Sequence, residues 1–221
     1  MNANDQELIA LFRGLDTPGV SDAMDKLGIA GQCLGIAALD NYQDPVVGPA
    51  FTVQYLPCGQ PAGTVGDFID QVAPGDVIVI ANAGRTDCTV WGDIMTQYAG
   101  LRDIAATVID GVCRDVAKAL GENYPLFTRG RFMRTGKDRV EVASINQPVA
   151  VAGVRVCARD ILVADANGVV VVPRARAREV AETARRIEET ESRIREQIAA
   201  GKTLGQARAA LGYHTLQRKE A

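Results

Sequence analysis

Two apolar runs, residues 77–80 and 106–109, flank a stretch with helical spacing at about 92–101. Runs this short and rich in Val and Ile read as buried strands, and a helix between them makes a β-loop-α-β unit. Such a unit pairs its strands in parallel through a right-handed crossover, so both strand ends open on one edge of the sheet. Open α/β sheets hold their ligands at that edge. Here the edge receives Ala81-Asn82-Ala83-Gly84 after the first strand and Asp110-Gly111-Val112-Cys113-Arg114-Asp115, leading into another helix, after the second.

Around this unit the spacing predicts two short opening helices, over 5–13 and 21–27, with Asp16, Thr17 and Ser21 as starters. A strand is expected over 46–55 and a helical stretch over 63–72, ending at the turn Ala73-Pro74-Gly75-Asp76. Short strands follow over 149–156, 161–164 and 169–172, broken by Gly153 and by Asp165-Ala166-Asn167-Gly168, so the body mixes parallel and antiparallel pairing. From 174 to about 200 the pattern becomes a long charged helix whose inner face steps through Val180, Ala184, Ile187, Glu191, Ile194 and Ile198. Glu191 interrupts this seam. Either its carboxylate has a partner there, or the helix rolls and Thr190 or Ser192 faces inward.

Charge and residue usage narrow the function. With 24 basic against 27 acidic side chains the net charge is −3, and the field that drives phosphate-backbone binding is missing. Arg129, Arg131 and Arg134, interleaved with Phe127 and Phe132, therefore read as a solvated loop or a polycarboxylate site rather than an RNA patch. No apolar run is long enough to cross a membrane, and the first residues resemble no targeting signal. Five widely spaced cysteines, an odd number, point to a reducing cytoplasm. Cys113 has no flanking histidine to act as base and reads as a small buried side chain. The single histidine, His214, lies seven residues from the end, so Ser-His-Asp, Cys-His and His-rich metal sites would all need it to reach back into the fold. Carboxylates, arginine and a hard metal are left to do any chemistry.

Two groups carry that expectation. Residues Gly92 to Met95 start the helix of the β-loop-α unit, where outward N–H groups favour a small carboxylate, although these residues by themselves favour Asp93 as a mere cap or complement to the helix dipole. Arg114-Asp115 ends the next strand, and the parallel geometry brings it near Asp93 across twenty intervening residues. The bland alternative is a surface ion pair. Two carboxylates without imidazole or thiolate suit Mg²⁺ or Mn²⁺ better than zinc. No GxGxxG follows a strand and no GxxxxGK[ST] occurs, so neither loop supports nucleotide binding.

Asp93, twenty residues, then Arg114-Asp115 resembles the Asp-x20-Arg-Asp signature of the 4-hydroxy-4-methyl-2-oxoglutarate and 4-carboxy-4-hydroxy-2-oxoadipate aldolases. These are metal-dependent pyruvate aldolases related to the regulator of ribonuclease activity A. Further echoes run in family order: residues 17–25 (TPGVSDAMD), Gly48-Pro49-Ala50-Phe51-Thr52, Pro74-Gly75-Asp76-Val77, and 165–173 (DANGVVVVP). Where many members have Leu and Ala, this chain has Ile94, Met95 and Thr96, which alters the pocket wall but not its backbone contacts.

The resemblance implies one α/β domain over 1–221, a swivelling β/β/α sandwich with mixed sheets, whose residues 174–221 form a helical extension packing on a neighbouring subunit of a homotrimer or homohexamer. It implies that Asp115 binds Mg²⁺ or Mn²⁺ directly, that Asp93 holds the ion through water, that Arg114 contacts the pyruvyl oxygen, and that backbone amides of Gly92, Asp93, Ile94 and Met95 hold the pyruvyl carboxylate. Glu191, with Glu188 and Glu189 as fallbacks, matches a glutamate supplied to the metal site by the neighbouring subunit. The implied activity is a lyase reaction of aromatic catabolism, retro-aldol release of pyruvate from a small 2-oxo acid, with oxaloacetate decarboxylation as a second activity; a water held by the metal and by Asp93 or Glu191 would take the C4 hydroxyl proton. The competing expectation is a non-catalytic regulator binding a ribonuclease or other partner. Such regulators typically stop soon after the Gly-Val-Val-Val-x-Pro strand, whereas about 48 residues follow Pro173 here.

Overall fold

The structure, a computed structural model, describes residues 3–42, 44–216 and 218, with the side chains of His214 and Thr215 outside that description. The reach into the fold that a histidine-dependent site would require of His214 therefore lies outside the described residues. Helices α1 (Ala3–Phe12) and α2 (Thr17–Lys26) open the chain, and α2 starts where Asp16 accepts a hydrogen bond from the Gly19 amide at 2.9 Å. A short strand β1 (Ala37–Ala38) precedes the long β2 (Val46–Pro57). Then come β3 (Val77–Thr89), α3 (Asp93–Leu101), β4 (Ala106–Cys113), α4 (Val116–Gly121) and β5 (Leu126–Arg131). Strands β6 (Val140–Ile145), β7 (Val149–Val151), β8 (Val154–Val156), β9 (Ile161–Asp165) and β10 (Gly168–Val172) complete the sheets. Helices α5 (Ala177–Ala199), α6 (Leu204–Ala210) and α7 (Tyr213–Leu216) follow.

The main sheet runs in the order β1-β5-β4-β3-β2-β9-β10. Strands β2, β3, β4 and β5 are parallel, and β1, β9 and β10 join antiparallel. Strand β2 is long enough to change partner on one side: residues 46–49 pair with β9 and 53–57 with β6. This is the mixed α/β architecture expected from the sequence. Side chains alternate across it as a period of two requires. Ile78 and Ile80 join Phe51, Tyr55 and Trp91 on the face covered by α3 and α4, while Val77 and Val79 join Val108, Phe127 and the β7–β8 hairpin on the other. A third core forms where Val180, Ala184 and Ile187 of α5 meet Phe12, Val20 and Met24 of the opening helices and Ile161 and Val172 of the last hairpin.

Several expectations need correction. The helical stretch over 63–72 shrinks to a single 3-10 turn, Asp67–Gln71. The first strand does not stop at residue 80: it continues to Thr89, with register shifts between Ala81 and Arg85 and between Arg85 and Thr89. Ala83 and Gly84 adopt φ of 51° and 66°, so the small residues that looked like a loop instead bend a continuing strand. Arg129 and Arg131 stand on β5, not in a loop. Among the described residues no helix is long and apolar enough to cross a membrane.

Candidate active site

The ends of β3 and β4 are tied together by one hydroxyl. Thr89 Oγ1 lies 2.8 Å from the Trp91 carbonyl oxygen and 3.0 Å from that of Val112, and it accepts the Trp91 amide at 3.1 Å. The Arg114 amide donates to the same Trp91 carbonyl at 3.0 Å. Trp91 is buried and stacked on Tyr124, and its indole N–H donates to Thr96, whose hydroxyl donates in turn to the Gly92 carbonyl at 3.1 Å. This buried lattice fixes where α3 begins relative to the end of β4.

The residues singled out in the sequence meet there. Asp115 Oδ2 accepts the Asp93 amide at 3.2 Å and lies 3.2 Å from Arg114 Nε. Asp115 itself has φ of 55° and ψ of 39°, a left-handed conformation that Asp tolerates better than most residues. Gly92 leaves the space for its carboxylate: a Cβ there would sit 2.7 Å from Asp115 Oδ2 and 3.4 Å from Arg114 Nε. The Ile94 amide bonds the carboxylate of Asp93 at 2.9 Å, so Asp93 satisfies a helix N-terminal donor while remaining exposed. Arg114 and Asp115 are about two-fifths exposed, which keeps both accessible to a ligand.

Gly92, Asp93, Ile94, Met95 and Arg114 all line one cavity of about 590 Å³. Its other walls are residues 62–67, the end of β3, and the segment Thr135, Gly136, Lys137 and Asp138. Lys137 was not singled out in the sequence. It adds a second cation to the cavity, and only the return of the chain into β6 brings it there. The arginines 129, 131 and 134 are not among the lining residues. Arg129 is ion-paired with the buried Asp110, and Arg134 lies over the Phe132 ring at 5.8 Å.

Glu191 stands apart from these groups within the chain. It is half-buried on α5, 3.7 Å from Arg195 Nη1, and burial together with nearby Asp22 and Glu188 pushes its carboxyl above the ordinary value. Thr190 and Ser192 are half-buried beside it, so the seam neither rolls away from Glu191 nor encloses it. Glu188 is paired with Arg195, and Glu189 is exposed. Among the described residues no three His, Cys, Asp or Glu side chains gather as metal ligands. Cys113 is fully buried and its thiol is pushed up by burial, in keeping with a structural role.

The donor set suits a hard divalent cation held by one or two carboxylates, with open coordination positions for water or substrate. Of the two carboxylates, that of Asp115 is the one fixed in place: Gly92 leaves room for its Oδ2, and the Asp93 amide and Arg114 orient it.

The family described as RraA-like, Aldolase/RraA, matches residues 17–171. Protein DlpA of Legionella pneumophila is 43% identical over 86% of this chain, which spans about a third (31%) of that protein's length. A Halalkalibacterium halodurans protein named "Putative 4-hydroxy-4-methyl-2-oxoglutarate aldolase" is 35% identical over 84% of this chain and 86% of its own. The crystal structure of an uncharacterized protein from Pseudomonas syringae superposes with a TM-score of 0.87 at 46% identity, covering 93% of this chain and 94% of that one.

Proposed function

The chain belongs to the RraA-like Aldolase/RraA family, and on that premise we propose that it is a divalent-metal-dependent lyase that releases pyruvate from a 4-hydroxy-2-oxo di- or tricarboxylic acid. The observation that carries the proposal is the convergence of Asp115, the Asp93 amide and Arg114 at the start of α3, where Gly92, Asp93 and Arg114 line a cavity large enough for such a substrate and Asp115 stands directly behind them. Substrates of this class are 4-hydroxy-4-methyl-2-oxoglutarate, which yields two pyruvates, and 4-carboxy-4-hydroxy-2-oxoadipate, which yields pyruvate and oxaloacetate.

Asp115 and Asp93 would hold Mg²⁺ or Mn²⁺, with Glu191 of a neighbouring subunit completing the set in a homotrimer or homohexamer. The bound ion supplies Lewis acidity to the 2-keto group. The chain's own residues do the rest. The Met95 amide binds the pyruvyl carboxylate, joined by the Asp93 and Ile94 amides once the Asp115 and Asp93 carboxylates that now accept them turn to the ion, and the helix dipole there favours an anion. Arg114 donates to the 2-keto oxygen, on which negative charge accumulates as the C3–C4 bond breaks. Lys137, at the far wall, pairs with the distal carboxylate and sets the length of acid accepted. The C4 hydroxyl proton leaves to a water hydrogen-bonded to Asp93, since no described histidine is near. The same enolate forms when oxaloacetate loses CO₂, so oxaloacetate decarboxylation follows as a second activity.

The test is pyruvate release from 4-hydroxy-4-methyl-2-oxoglutarate and from oxaloacetate, with Mg²⁺ and then with excess chelator. Release that stops on chelation and returns with Mg²⁺ supports the proposal. No release from either substrate, or release indifferent to chelation, overturns it and leaves a non-catalytic, partner-binding role as the reading to pursue.

A further inference from the structure

The outer wall of the cavity is a segment with no regular secondary structure, residues 58–66, of which 62–66 line the cavity directly. Residues 59–64 are all exposed, so no buried side chain anchors them, and Gly59, Gly63 and Gly66 add backbone freedom. A stretch of this kind opens locally unless hydrogen bonds hold it. At its far end the buried Tyr55 hydroxyl of β2 donates to the Val65 carbonyl; the remaining bonds come from β6 and the turn before it. The Cys58 amide donates to the Arg139 carbonyl at 3.1 Å, and the Val142 amide donates to the Thr64 carbonyl at 2.9 Å. Between these two points a single side-chain oxygen does the work: Glu141 Oε2 accepts the Gly59 amide at 3.1 Å and the Gly63 amide at 2.7 Å.

The fit is close. A Cβ on Gly63 would lie 3.0 Å from Glu141 Oε2 and 3.1 Å from its Cβ, so the carboxylate occupies the room that a side chain at 63 would need. The two N–H donors hold the Glu141 carboxyl below its ordinary value. Glu141 itself does not line the cavity, yet it follows closely on residues 135–138, which form another part of the wall and carry Lys137. It thus joins two adjoining parts of the cavity wall.

We propose that Glu141 is a positioning residue: by clasping Gly59 and Gly63 it keeps residues 62–66 in place as a wall of the cavity that Arg114 and Asp93 also line, and so sets substrate affinity without touching substrate. The clasp stands on geometry alone; its effect on affinity rests on the lyase reading.

The experiment compares full-length Glu141→Ala and Glu141→Gln with the unmodified protein by amide hydrogen exchange and by pyruvate-release kinetics. Both bonds reach one oxygen, so a glutamine carbonyl can take its place. In Glu141→Ala the Gly59 and Gly63 amides should exchange at least about tenfold faster, with KM raised about tenfold and kcat within about threefold. Glu141→Gln should restore most of both. Gly63→Ala, which crowds the same carboxylate, should move exchange and KM in the direction of Glu141→Ala. Unchanged exchange in Glu141→Ala, faster exchange with unchanged KM, or a glutamine variant as impaired as alanine would each overturn the proposal. If the unmodified protein releases no pyruvate, the lyase reading fails separately, and exchange alone then decides the clasp.

Discussion

Replacing Gly92 with alanine should disable the site while leaving the fold nearly intact. The backbone at Gly92 is extended, with φ of −149°, so alanine meets no conformational penalty there. The added Cβ, however, would stand 2.7 Å from Asp115 Oδ2, about 0.7 Å inside ordinary contact at 3.4 Å. Asp115 has to yield, because Trp91 and Thr96 hold the start of α3 from beneath. A shift of that size stretches its 3.2 Å bond from the Asp93 amide beyond hydrogen-bond range and turns the carboxylate away from Arg114. Misplacement by about 1 Å costs on the order of a hundredfold in rate, so kcat/KM should fall about 30- to 100-fold, or about 2 to 3 kcal/mol of transition-state stabilisation. Alanine in place of glycine at a helix N-cap costs only about 0.5 kcal/mol, which for a chain of this size moves Tm by about 2 °C or less. The assay is metal-dependent pyruvate release alongside thermal unfolding. Gly100→Ala serves as control: it lies in α3 with nothing within 4 Å of the added Cβ, and it should leave activity unchanged. The reasoning is refuted if Gly92→Ala keeps kcat/KM within about threefold of the unmodified protein, or if its Tm falls by more than about 8 °C.

Three further outcomes are expected. Asp115→Asn keeps a residue that tolerates the left-handed backbone but loses the charge, so turnover should fall at least about a thousandfold with little change in Tm; if Glu191 acts across a subunit boundary, dissociating and reassembling this variant with Glu191→Gln should recover activity that neither has alone. Lys137→Met should raise KM for the distal-carboxylate substrates about tenfold at unchanged Tm, whereas Arg129→Met, which strands the buried Asp110, should lower Tm and affect KM less; equal KM effects from both would contradict the assignment. Burial would raise the Asp165 carboxyl, but hydrogen bonds from Thr17 and Asn167 outweigh it and hold it below the ordinary 3.8. Its ionised form therefore stabilises the fold fully above about pH 5, and that contribution disappears as pH falls through the folded-state value. Asp165→Asn should cost about 2 kcal/mol at pH 7 and flatten the acid limb of the stability curve, as denaturant titrations from pH 7 to 3 would read.

Much of the fold can be read along the chain because its core follows strict local periods. The Val-Ile-Val-Ile run at 77–80 divides between two cores as alternation requires, and α5 buries Val180, Ala184 and Ile187 at helical steps. What escapes a local reading is set by partners distant in sequence. Strand β3 continues through Ala83 and Gly84 only because β4 keeps pairing with it beyond the bend. Strand β5 carries Arg129 and Gly130, which suggest a loop until Asp110 on the neighbouring strand neutralises the arginine. The meeting of Asp93 with Arg114-Asp115 is legible because a parallel crossover dictates it. Lys137 in the cavity and Glu141 behind its wall are not, since an antiparallel return to β2 that no spacing encodes brings them there. The long helix does display Glu191 on its half-buried side, but the Asp22 it meets there comes from a helix far off in sequence.

The account turns on a divalent ion gripped at the junction of β4 and α3. Its most direct measurement is the anomalous scattering of Mn²⁺ in crystals grown with the metal and pyruvate. The account predicts one strong peak within about 2.3 Å of an Asp115 carboxylate oxygen, with pyruvate lying between it and Arg114. A cavity without manganese at saturating metal, or a peak bound away from Asp115, would contradict it.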